Sequence, residues 1–288
     1  MICSICPRHC NIDREASTGY CRSSSAFKVA RASLHYWEEP CISGEQGSGA
    51  VFFSGCNLRC VFCQNYEISQ LNKGVEISDD RLIEIFERLV ENGANNINLV
   101  NPTHFGDRLA RVLAKWKSPV PIVYNSGGYE SLDTIKSLDG LVDIYLPDLK
   151  YIRPDKSKRY SNAVDYFDVA SKAILEMRRQ VSDSFEGDIM KSGLIIRHLV
   201  LPKNTNSSIE ILNWINENLP NTYVSLMAQY TPCGNLEATP ELKRKITERE
   251  YNKVVNHALD LGMDKIFIQD KKSADKKFIP KFDFTGVM

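Results

Sequence analysis

From about Gly49 onward the chain alternates short apolar runs with longer amphipathic stretches, the pattern of successive βα units. Strands are predicted over Ala50 to Phe53, Ile97 to Val100, Pro121 to Tyr124, Val142 to Leu146, Leu194 to Leu201, Tyr223 to Met227 and Lys265 to Ile268. Between them, apolar residues spaced three and four apart predict helices over Asp79 to Glu91, Asp107 to Trp116, Tyr129 to Ser137, Asn162 to Val181, Ser207 to Leu219 and Thr247 to Leu261. Ser78, Ser161 and Ser208 stand where helix N-caps would fall, and Gly93 and Gly262 where the chain would leave a helix before a strand. Residues 1–48 carry no clear periodicity and read as a small Cys-rich extension, with 49–288 as the α/β body.

Parallel strands joined by right-handed crossovers form either a doubly wound open sheet or a barrel, whole or partial. Both bind ligands beyond the C-terminal edge of their strands. The segments that follow the apolar runs are therefore the candidates for chemistry: Ser54-Gly55-Cys56, Asn101-Pro102-Thr103-His104, Asn125-Ser126-Gly127-Gly128, Asp148-Leu149-Lys150, Arg197-His198 and Gln229-Tyr230. His198 alternates with Arg197 along a strand and is expected to pack on the opposite face.

Charge removes some function classes. With 36 Lys+Arg against 36 Asp+Glu the chain of 288 residues is formally neutral and its charges are interspersed, which argues against a nucleic-acid partner. No apolar run approaches the roughly 20 residues of a membrane span. No basic and apolar leader precedes Cys3, so a cytoplasmic location is expected.

Cysteine changes the picture most. Of nine, Cys3, Cys6, Cys10 and Cys21 form one group and Cys56, Cys60 and Cys63 another, while Cys41 and Cys233 stand apart without an assigned role. In a reducing compartment such clusters point to metal ligands or catalytic thiols. Soft thiolates suit iron–sulfur clusters, zinc or copper(I), and three of them on one loop can hold three corners of a cubane while leaving one iron open to a substrate or cofactor. The first group has the count and spacing of a closed four-thiolate site, for zinc or a second iron–sulfur cluster, with Cys41 as a substitute ligand. An extension that small has no core of its own, so a bound metal would supply its folding energy.

The segment Gly55-Cys56-Asn57-Leu58-Arg59-Cys60-Val61-Phe62-Cys63-Gln64-Asn65 resembles the Cys-x3-Cys-x-aromatic-Cys signature of radical S-adenosylmethionine (SAM) enzymes. The whole chain, including Trp37-Glu38-Glu39-Pro40-Cys41-Ile42-Ser43-Gly44, is similar to homologues of pyruvate formate-lyase activating enzyme. That resemblance implies a partial (β/α)6-type TIM barrel of parallel strands behind the N-terminal Cys-rich metal-binding extension. It implies a [4Fe–4S] cluster on Cys56, Cys60 and Cys63 whose open iron chelates the amino and carboxylate groups of SAM, with Phe62 beside the adenine. The family's Gly-Gly-Glu-Pro segment corresponds to Asn101–His104, where the glutamate and glycines are absent, so Asn101, Thr103 and His104 or backbone carbonyls are the implied contacts. Asn125, Ser126, Asp148, Lys150, Arg197 and Gln229 match further cofactor-binding positions. The implied activity is reductive cleavage of SAM to a 5′-deoxyadenosyl radical that activates a glycyl radical enzyme by hydrogen abstraction, with an electron donor such as flavodoxin or ferredoxin. Radical modification of a peptide or small molecule is the alternative, and a non-catalytic metal-binding interaction module is a third.

Overall fold

The computed structural model describes residues 2–269 and 280–288. Strands form at Phe27–His35 (β1), Ser48–Phe53 (β2), Val75–Ile77 (β3), Ile97–Val100 (β4), Ile122–Ser126 (β5), Ile144–Pro147 (β6), Ser184–Glu186 (β7), Ile189–Leu199 (β8), Tyr223–Met227 (β9) and Ile266–Ile268 (β10). The α-helices are Pro40–Ser43 (α1), Tyr66–Ser69 (α2), Asp79–Glu91 (α3), Gly106–Lys115 (α4), Leu132–Ser137 (α5), Pro154–Ser161 (α6), Tyr166–Gln180 (α7), Thr205–Asn218 (α8) and Glu248–Asp260 (α9). The sheet order is β10-β9-β8-β6-β5-β4-β2-β1-β3, with β7 paired to β8 off this path. Every pairing from β2 to β10 along that path is parallel, as expected of a partial barrel.

The antiparallel edge was not foreseen. β1 lies within residues 1–48, yet it runs between β2 and β3, pairing Ala32 with Val51 and Lys28 with Glu76. Its buried positions are Phe27, Val29, Ala30 and Ala32, and the shift of register between Val29 and Arg31 breaks the alternation that would announce it.

Burial explains the rest of the layering. All six residues of β2 and all five of β5 are buried, as strands covered on both faces must be. Leu82, Phe86 and Leu89 of α3, Ile174 and Met177 of α7, and Ile211 and Ile215 of α8 pack against the sheet from outside. A fully buried side chain of this kind contributes about 1.5–3 kcal/mol. A separate apolar layer inside the barrel joins Val123, Ile144, Leu146 and Ile195 to Cys41 and Ile42 of α1. Asn96, just before β4, donates to the Ile42 carbonyl at 2.8 Å. α1 and its flanks thus form a plug across the N-terminal ends of the strands.

Ser78 caps α3 by accepting from the Arg81 amide at 3.1 Å, and Gly93 and Gly262 take positive φ just past helix ends. Ser161 and Ser208 are not N-caps: the first closes α6 and the second lies inside α8. The single helix predicted over 162–181 begins only at Tyr166, because Asn162 adopts a left-handed conformation (φ 47°) that ends α6. Among the described residues no helix is long and apolar enough to cross a membrane.

Candidate cluster and cofactor site

The three-cysteine loop leaves β2 through Gly55, whose φ of 90° suits glycine. A Cβ there would also collide with the Ser23 hydroxyl and the Cys21 carbonyl, so the N-terminal extension lies directly against this turn. Each thiol of the loop accepts a hydrogen bond from a polar side chain. Asn101 Nδ2 reaches Cys56 Sγ at 3.1 Å, Ser161 Oγ reaches Cys60 Sγ at 3.0 Å, and Ser69 Oγ reaches Cys63 Sγ at 3.2 Å. Such donors favour a sulfur carrying negative charge, the form that ligates iron. Burial, then the neighbouring Cys60 and Cys56, pushes the Cys63 thiol up to about 12, and burial raises Cys56 as well. Asn57 Nδ2 donates to the Tyr129 carbonyl at 2.7 Å and the Val61 amide to the Tyr160 carbonyl at 2.9 Å, which pins the loop to the barrel rim.

Cys56, Cys60 and Cys63 line one end of a cavity of about 1260 Å³ that runs into the barrel. Phe62, Asn101, Asn125, Ser126, Asp148, Lys150, Arg197 and Gln229 line the same cavity. The Phe62 ring meets Tyr160 and Tyr230 edge-on at 6.2 and 6.0 Å between centroids. Asp148 pairs with Lys150 and, at 2.9 Å, with Arg197 Nε; Arg197 also donates to Asn125 Oδ1 at 2.6 Å. Burial works to raise the Asp148 carboxyl, but Arg197 and Lys150 together hold it below its usual value. The site therefore presents an ionised carboxylate, an ammonium and a guanidinium beside three soft donors. Its donor set fits an iron–sulfur cluster with one open iron and a zwitterionic ligand next to it.

Two of the expected residues lie outside the cavity. Thr103 and His104 do not line the cavity. The Thr103 hydroxyl sits between Asn101 Oδ1 (2.9 Å) and Glu130 Oε1 (2.6 Å), so it orients Asn101 from behind. The His104 ring is buried, with Nε2 2.8 Å from the Ser54 carbonyl, and burial pushes its pKa down to about 3, so it packs as neutral imidazole. The cause is the short 3₁₀ turn Thr103–Phe105 straight after β4, which turns both side chains from the barrel mouth. His198 packs as expected, between the Leu149 carbonyl (2.7 Å) and Ser208 Oγ (2.8 Å).

The N-terminal cysteines sit behind the loop. Cys6 and Cys21 are buried, Cys3 and Cys10 less so. Burial first, then the nearby Cys21 and Cys3, raises Cys6 to about 12. Cys10 Sγ accepts from the Tyr20 amide at 3.3 Å. Between Cys6 and Cys10, Arg8 bridges to the cluster loop, donating to the carbonyls of Asn57 (2.7 Å), Ser161 (3.0 Å) and Asn162. Among the described residues, no three His, Cys, Asp or Glu side chains are gathered at the spacing of a single metal ion. A cubane separates its thiolates, one to each iron, more widely than one ion does.

Ser69, Ser161 as a thiol donor, Glu130, Glu38 and Glu39 are neighbours of the site that the motif did not reveal. The last two, adjacent acids beside a proline in an otherwise apolar segment, carried a signal in their charge; both line the cavity from the plug.

Residues 50–215, more than half of the chain, match the Radical SAM superfamily. The chain is 29% identical over 275 residues to the uncharacterized protein MJ0674 of Methanocaldococcus jannaschii, covering 92% of this chain and 76% of that one. Among solved structures it is similar in fold to methylornithine synthase (PylB), with a TM-score of 0.50 and 16% identity. That match covers 74% of this chain and 60% of the synthase.

Proposed function

The chain belongs to the radical SAM superfamily, and from that membership we propose that it holds a [4Fe–4S] cluster on Cys56, Cys60 and Cys63, binds SAM in the adjoining cavity and abstracts a hydrogen atom from a substrate. The observation that carries this reading is that three hydrogen-bonded thiols open onto the same cavity as Asn101, Asn125, Asp148, Lys150 and Gln229. When bound, the cluster and SAM supply an electron to the sulfonium and a 5′-deoxyadenosyl radical. The chain's own residues bind, orient and exclude water. Asn101 stands in for the missing glutamate at the methionyl amine, held by Thr103. Lys150, anchored on Asp148, faces the carboxylate or ribose. Phe62, braced by Tyr160 and Tyr230, offers an apolar face to the adenine.

The finer reading, activation of a glycyl radical enzyme with flavodoxin or ferredoxin as electron donor, rests on the resemblance of the three-cysteine loop. A second reading, modification of a peptide side chain or small molecule, is favoured by the polar depth of the cavity, which continues past Arg197 to Glu38 and Glu39. The N-terminal cysteines are proposed to bind zinc or a second cluster. Anaerobic reconstitution followed by dithionite and SAM tests the leading reading: 5′-deoxyadenosine should form, and C60A should form none. An intact protein that releases no 5′-deoxyadenosine overturns it. Metal analysis of a Cys56/Cys60/Cys63 triple-alanine variant reports on the second site, where zinc marks a structural clip and residual iron with sulfide a second cluster.

A further inference from the structure

The cavity is larger than one cofactor needs. Pockets for a single drug-sized ligand span about 300–1000 Å³, and this one holds about 1260 Å³. Its mouth, around the three thiols, is the SAM end. Its floor is formed by the plug, where Glu38 and Glu39 enter the barrel beneath Arg197.

The charges on the floor do not balance. Asp148 is paired twice, with Lys150 and with Arg197. Glu38 has Arg197 Nη1 at 3.5 Å and Asn125 Nδ2 at 3.4 Å, both at the limit of contact. Glu39 is 5% exposed and its Oε2 has no hydrogen-bond partner. Three carboxylates thus share two cations. Around them stand more unsatisfied polar atoms: Ser225 Oγ on β9 and both amide atoms of Asn98 on β4, each on a fully buried residue. Ser225 lies within reach of the Glu39 carboxyl and Asn98 of that of Glu38, each drawing the acid's pKa down against burial. An unsatisfied buried polar group costs about 1–3 kcal/mol; Glu39 Oε2 and Ser225 Oγ, from two separate segments, line the cavity, and Asn98 stands behind Glu38.

We propose that Glu38, Glu39 and Ser225 form a subsite for a primary ammonium group of the substrate, with Asn98 behind Glu38, on the far side of Arg197 from SAM. An ammonium has three donors and one positive charge. Two carboxylates and a hydroxyl are acceptors for those donors, and the single charge offsets the surplus of acidic groups on the floor. Burial raises both glutamyl carboxyls in the free protein, and a bound cation would favour their ionised form. That the amine belongs to a substrate rests on the radical SAM reading; the subsite itself does not.

The test uses the full-length protein with its cluster reconstituted and SAM bound, probed by saturation-transfer NMR with n-butylammonium, n-butanol and butyrate. Butylammonium should bind, and butanol and butyrate at least about tenfold more weakly, a difference of about 1.4 kcal/mol. E39Q should weaken butylammonium by a similar factor and S225A by less, both with unchanged melting temperatures, while the SAM dissociation constant of E39Q stays within about threefold of wild type. Butanol binding as well as butylammonium overturns the proposal, and the wild-type probes decide this even if a variant fails to fold. So does an E39Q variant that keeps its butylammonium affinity, or one that loses SAM as strongly, since the carboxylate would then belong to the SAM site. SAM cleavage without amine binding removes the subsite alone; amine binding without SAM cleavage supports the subsite and removes the radical reading.

Discussion

Hydrogen bonds to the three thiols set what each residue near the loop should do when changed. Ser161 donates to Cys60 and is itself steadied by the Tyr151 hydroxyl at 2.7 Å. A donor to a cluster thiolate stabilises the more negative, reduced state. A net hydrogen bond is worth about 1 kcal/mol, and a one-electron couple moves about 59 mV for each 1.4 kcal/mol. S161A should therefore lower the cluster potential by some tens of millivolts in a redox titration followed by EPR, and an unchanged potential would remove Ser161 from the tuning of the cluster. Glu130 makes a second prediction at this scale. Burial raises its carboxyl to about 7 against Thr103 and Tyr124. A raised acid pKa means that the folded state holds the proton longer than the unfolded chain, so the stabilisation is full below about 4.5 and is lost as pH rises through about 7. Between pH 5 and 8 wild type should lose about 2–3 kcal/mol relative to E130Q in urea unfolding; parallel pH profiles would show that Glu130 is not the source.

At the scale of elements, the N-terminal extension and the cluster loop behave as one unit. Arg8 satisfies three carbonyls, two of them at the end of α6 and one between Cys56 and Leu58. Its guanidinium also stacks over Tyr20 at 4.1 Å from the ring centroid. Charged hydrogen bonds of this kind contribute about 1.5–3 kcal/mol each when buried, less when partly exposed as here. R8A should destabilise the protein by about 2 kcal/mol and hasten loss of iron from the loop, measured as chelator-accessible iron over time; iron retained at the wild-type rate would uncouple the two elements. G55A should be worse, because it combines strain at positive φ with a clash against Ser23 and Cys21. Element by element, legibility followed local signals. α3 was readable to its last residue because Ser78 and Gly93 mark both ends and its apolar face is regular. The break between α6 and α7 was not, since Asn162 ends a helix by taking a left-handed conformation that other residues also adopt. β1 was hidden by Ala30 and Ala32, whose burial comes from the neighbouring strands and not from their own hydrophobicity, and by the shift of register between Val29 and Arg31.

Across the whole molecule, the parallel strands carry the motif residues to one rim and the plug brings two carboxylates up from the other end. Cys56, Cys60 and Cys63 could be read directly because their chemistry lies within eight consecutive residues. Ser161 and Glu39 could not, because only the closure of the barrel brings them to the thiols and the cavity, and Ser69 could not because its reach to Cys63 depends on the short turn of α2. The same closure explains why Thr103 and His104, close in sequence to Asn101, fall behind the wall. The three thiols are proposed to hold a cluster whose fourth iron is open to SAM. The most direct measurement is the EPR spectrum of the reconstituted, dithionite-reduced protein before and after addition of SAM. A [4Fe–4S]⁺ signal whose g-values shift on addition of SAM, and which C60A lacks, is the predicted result. No cluster signal, or one indifferent to SAM, would contradict it.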